Sequence, residues 1–124
     1  MSTRLEAMLA QIDAQADASL AKLDQAERFA NESAALVVDG ESEGRHAVVS
    51  VNGTGHPVAV HFSDDFHRLS AGELGSAVMS ALGQAQRRLS YRVEELGNDI
   101  YGPGSPTARM YADAYREQYG YEEG

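Results

Sequence analysis

The chain has 124 residues, with Lys+Arg 10, Asp+Glu 19 and neither Cys nor Trp. That length suits one domain with a modest core, and zero cysteines exclude a disulfide scaffold or a zinc-thiolate site. A net charge of −9 argues against general affinity for nucleic acid or an anionic membrane, since both attract positive surfaces.

The first 30 residues carry an apolar series at helical spacing: Leu5, Met8, Leu9, Ile12, Ala16, Leu20 and Leu23, continued by Ala26 or by Phe29 and Ala30. No Gly or Pro interrupts before Gly40, so one amphipathic helix is expected from about Arg4 to about Asn31. At about seven turns it is long for a small domain and suggests a partner helix or a dimer. No secretory signal is read at the N-terminus and no apolar run approaches a membrane span, so a cytoplasmic location is expected.

From Ser33 the pattern changes. Ala34 to Val38 is a short apolar, partly β-branched run, and Gly40 to Gly44 supplies turn residues. Arg45 to Val51 alternates, with Ala47, Val49 and Val51 on one face, and Asn52-Gly53-Thr54-Gly55 is a hairpin signal. His56 to Phe62 alternates again, and Pro57 belongs at a strand start or on an edge. Three strands joined by tight turns make an antiparallel meander.

Ser70-Ala71-Gly72-Glu73 matches the capping box of a second helix. Its apolar stripe is Leu74, Val78, Ala81, Leu82, Ala85, Leu89, Val93 and Leu96, and Gly97 suits its C-terminal stop. Tyr101-Gly102-Pro103-Gly104-Ser105-Pro106 reads as a linker, and Thr107 to Tyr119 as a short helix within a mobile or partner-docked tail. The class is therefore α+β, with order α-β-β-β-α. Residues 1–97 form a dimerising domain, and residues 98–124 are a Gly/Pro linker and an acidic, Tyr-rich tail.

Chemistry finds little foothold. His61, Asp64, Asp65 and His67 are the one local cluster of ligand-type residues, and they match no metal-ligand spacing. Nucleophile elbow, Walker loop and dinucleotide fingerprint are all missing, so neither enzyme nor cofactor is expected. The acid concentrates in residues 31–44, which hold four acidic and no basic side chains, and in the tail. The middle of the second helix is locally basic. Arg87, Arg88 and Arg92 lie there, and Arg88 and Arg92 share a face one turn apart. Either these arginines contact phosphates on a duplex, or they pair with Glu94, Glu95 or carboxylates of the first helix.

Several short strings, in order, resemble the YbaB/EbfC family of bacterial nucleoid-associated proteins. They are Asp39 to Gly44, Val48 to Gly53, Val58 to Asp64 and Ala85 to Leu89. The resemblance implies a tweezer-shaped homodimer that binds double-stranded DNA without strict sequence preference in the nucleoid. By position it assigns DNA contact to Arg87, Arg88 and Arg92, with Arg4, Lys22 and Arg28 of the first helix as further candidates. The first helix departs from the family's lysine-rich form, having one Lys, two Arg and five acids. In that respect the chain resembles a divergent, acidic actinobacterial branch, some of whose members accompany type VII (ESX) secretion systems. That likeness implies an alternative, a protein-interaction accessory factor without DNA binding, its partner met by Tyr111, Tyr115 and Tyr119. The Tyr-x-x-x-Asp/Glu secretion pattern occurs at Tyr91 and Tyr119, about as often as composition alone produces it. An acidic tail that masks the basic patch is a further expectation.

Overall fold

A computed structural model describes residues 3–124. Helix α1 spans Thr3–Ala34 and is followed by β1 (Val37–Glu41), β2 (Ala47–Asn52) and β3 (Pro57–Phe62). Helices α2 (Ala71–Tyr101) and α3 (Pro106–Tyr119) complete the chain, and single 3-10 turns lie at Glu43–Arg45 and Phe66–Arg68. The sheet is an antiparallel meander in the order β1-β2-β3, as the strand pattern predicts. Pro57 opens β3, an edge strand, where its missing N–H costs no ladder bond.

Helix α2 lies across β1 and β2. Ala77, Ala81, Ala85, Leu89 and Val93 are buried against Val38, Ala47, Val49 and Val51. The buried stripe advances by four residues at each step and is built mainly from alanine, with Val78, Leu82 and Leu96 packed along its flank. Small side chains let the helix backbone approach the sheet. Gly40 completes that approach: a Cβ there would collide with the Ala81 carbonyl and the Ala85 amide nitrogen, and would lie 2.8 Å from the Ala85 Cα. Gly40 is therefore a strand residue at the helix crossing, and the expected turn begins only at Ser42. The buried Ser42 hydroxyl accepts from the Ala47 N–H at 2.9 Å, so the turn leaves no polar group unmatched there.

The capping box is formed. The Ser70 hydroxyl accepts from the Glu73 N–H, and the Glu73 carboxylate accepts from the Ser70 N–H, each at 3.1 Å. Those bonds hold the Glu73 carboxyl below the usual carboxylate range.

The far end of α2 corrects the expected stop at Gly97. The helix continues to Tyr101 and closes at Gly102, whose φ is 91°. Gly97 is buried at the crossing of α2 and α3, where a Cβ would sit 3.4 Å from the Ala108 Cβ. The stretch read as a linker is a tight connection, and α3 packs along α2 with Ala108 and Ala112 buried. Its cap is Ser105, two residues earlier than the candidate Thr107.

Helix α1 runs 32 residues, a length of about 48 Å. Only Phe29 is buried; its ring stacks on Tyr111 with centroids 4.2 Å apart, and Tyr101 lies 6.0 Å away. The stripe Leu5, Met8, Leu9, Ile12, Leu20 and Leu23 is between 52% and 65% exposed. No described helix is long and apolar enough to cross a membrane.

If the Gly40 crossing fixes the helix on the sheet, Gly40→Ala should destabilise the fold by about 2 kcal/mol or more in urea denaturation. A change below about 0.5 kcal/mol would show that the crossing can widen freely.

Candidate nucleic-acid interface

The three arginines of α2 occupy the face left beside its buried stripe. Arg88 turns toward β1, where its Nη1 donates to the Asp39 carbonyl at 3.1 Å and stands 4.0 Å from the Glu41 carboxylate. Arg87 points outward and is more exposed. Arg92, a turn further on, pairs with Glu95 at 3.7 Å, one of the partners named for it from the sequence.

A carboxylate from the chain's end lies between Arg87 and Arg88. Glu122 Oε1 is 3.5 Å from the Arg87 Nε, and Oε2 is 3.4 Å from the Arg88 Nε. The Glu122 N–H also donates to the Arg87 carbonyl at 3.1 Å. On the opposite side Arg45 Nε meets the second Glu41 oxygen at 3.4 Å. The sequence Arg45–Glu41–Arg88–Glu122–Arg87 is thus a connected ion network of three guanidinium groups and two carboxylates, one positive charge in excess. Arg45 was not legible as part of this patch, and within the expected masking tail nothing local singled out Glu122, because these positions lie so far apart in the chain.

Further anchors hold the end segment along α2. Gly120, at φ 77°, turns the chain back over the Arg87 side chain. The Tyr121 hydroxyl donates to Glu94 at 3.3 Å, and its ring lies 3.7 Å under the Arg116 guanidinium. Arg116 donates to the other Glu94 oxygen at 2.6 Å, which raises its already high pKa.

The three tail tyrosines are engaged within the chain. Tyr111 stacks on Phe29, the Tyr115 hydroxyl donates to the Gly53 carbonyl at 2.7 Å, and the Tyr119 hydroxyl donates to the Thr54 carbonyl at 2.5 Å. Burial pushes the Tyr115 phenol up from its ordinary value. The buried Ser90 hydroxyl donates to the Tyr115 carbonyl at 3.0 Å, fixing α3 against α2 from the other side.

On α1, Arg28 pairs with Glu32 at 3.5 Å, whereas Arg4 and Lys22 are exposed and lie on a different element from the network. The structure brings together Arg87 and Arg88, leaves Arg92 a turn away, and does not gather the α1 cations beside them. In the histidine cluster, Asp65 accepts from the Ser63 hydroxyl, which lowers its pKa, and faces His46 at 3.8 Å. Among the described residues, no group of three or more His, Cys, Asp or Glu is placed to hold a metal ion.

The sequence model of the YbaB/EbfC DNA-binding family matches residues 3–103. The chain belongs to that family. A search of curated proteins returns no match. The family match covers α1, the sheet and α2, and ends before α3, so α3 and the segment bearing Glu122 lie beyond it.

Proposed function

We propose that this protein is a homodimeric, nucleoid-associated DNA binder that grips backbone phosphates through Arg87, Arg88 and Arg92, with little base readout. The observation that carries the reading is the guanidinium pair with an oxyanion between its members. Arg87 and Arg88 already hold a carboxylate by one oxygen each, which is the task a backbone phosphate would set them. Family membership supplies the class of ligand. Arg4, Lys22 and Arg28 remain outer candidates, reaching a duplex only if α1 lies along it.

Homodimerisation is supported by α1. Its apolar stripe has no cover in a single chain, and only its last turns pack on the body. The inner face of β3 is also open, with Val60 and Phe62 beyond the reach of α2 at 42% and 44% exposed. A second copy of the same chain is the occupant proposed for both surfaces, since a twofold axis would close them together. The competing reading, a protein-interaction accessory factor met by Tyr111, Tyr115 and Tyr119, has less support, because those side chains are occupied within the chain.

Sedimentation equilibrium should give twice the chain mass. Leu9→Asp with Leu20→Asp, both at exposed positions, should return a folded monomer. A monomeric parent protein, or a dimer indifferent to both changes, contradicts the α1 interface.

For DNA, the logarithm of affinity for a random-sequence duplex should fall linearly with the logarithm of salt concentration. Arg87→Ala should flatten that slope by roughly 2 in a dimer, one contact from each copy, without changing sequence preference. Fluorescence anisotropy with no binding at micromolar protein in low salt would overturn the reading.

A further inference from the structure

The same arginine pair carries a regulatory device. We infer that residues 120–124 are an autoinhibitory strap, in which Glu122 occupies the phosphate position between Arg87 and Arg88 and must be displaced before a duplex can bind. The inference rests on the DNA-binding reading above and adds a control element that lies outside the family match.

The contact is well placed and poorly made. Glu122 presents one oxygen to each guanidinium, and its N–H is tied to the Arg87 carbonyl, so the carboxylate is directed at the pair by its own backbone. Yet at 3.4 and 3.5 Å both ion pairs are longer than charge-assisted hydrogen bonds, which run about 2.7–2.9 Å. The Arg88 Nε is shut off from water and still has no hydrogen-bond partner. A buried donor left in that state favours any oxyanion that reaches it with better geometry. A phosphodiester, with two free oxygens and no tether to α2, is such a ligand.

Other groups facing the pair do not compete for this role. Glu41 stands 4.0 Å from Arg88 and is shared with Arg45, and the Asp39 carbonyl takes a different nitrogen of Arg88. Those contacts orient Arg88 on β1 and persist whatever occupies the Glu122 position. Glu122 can leave without unfolding an element: the strap follows the last turn of α3, and its residues Glu123 and Gly124 are exposed. Partial exposure of Arg87 and Glu122 makes the clamp weak, as a displaceable mask has to be.

The test compares two variants of equal charge. Glu122→Gln and Glu123→Gln each remove one negative charge per chain, but only the first empties the arginine pair of its anion. With a random-sequence duplex in low salt, Glu122→Gln should tighten binding about fivefold relative to the parent protein, and Glu123→Gln by less than about twofold. A chain ending at Tyr119 should match or exceed Glu122→Gln. Equal tightening by both single variants would reduce the effect to net charge and overturn the strap. A parent protein that binds DNA, with Glu122→Gln unchanged, would overturn the strap and leave the DNA reading standing. Failure of every variant to bind would overturn both.

Discussion

The close crossing of α2 over β1 is the constraint on which the rest depends. Gly40 and the alanines at 77, 81 and 85 bring a helix backbone nearly onto a strand backbone. With that distance fixed, Arg88 can reach the Asp39 carbonyl and Glu41 on the strand, and Arg87 is carried alongside it. The crossing also leaves the far half of α2 free to receive α3 at Gly97 and Ala108, which returns the chain's end to the arginines. A wider, leucine-filled interface would bury more apolar surface and place every one of these polar contacts out of range.

Glycine has two physical uses, and the sequence does not say which applies. At Gly40 the missing Cβ allows close packing and Gly97 lies inside α2 against Ala108, although local propensity reads the first as a turn and the second as a helix stop. In the second hairpin both uses appear side by side. Gly55 takes a positive φ of 79°, while Gly53 abuts the Ser33 carbonyl at the end of α1. What could be read correctly was what depends on neighbours: the existence of β2 and β3, the alternating burial of β2, the Ser70–Glu73 capping box and the helical period of α2. The Gly/Pro string at 102–106 looks like a linker because its residues break helices. It breaks one helix and starts the next, and α3 is held by bonds from Ser90 and to Gly53 and Thr54, partners remote in sequence.

The candidate site was half legible for the same reason. Arginine positions on a helix follow from spacing, and Arg87 and Arg88 are adjacent by any reading. Their counter-ions come from β1 and from the chain's end, 47 residues away for Arg88–Glu41 and 34 for Arg88–Glu122, and only the folded topology unites them. The net charge of −9 takes on a different meaning once those partners are known. Part of the acid is not a diffuse repulsive field but sits directly on the groups that would bind phosphate. The acidic residues of α1 lie on a different element from the arginine network, and salt screens exposed charges that are more than about a Debye length apart. A negatively charged protein can then bind DNA locally, provided its contacts are few and its internal anion yields.

That replacement can be watched directly. A nitrogen-15 NMR titration of the protein with a short duplex would report the arginine Nε–H signals and the Glu122 amide, which is hydrogen-bonded to Arg87, in one experiment. The account predicts that the Arg87 and Arg88 side-chain signals and the Glu122 amide shift together along a single binding curve, with the amide moving toward a solvent-exposed position. Duplex binding that shifts signals elsewhere while the two arginines and Glu122 stay in place would contradict it.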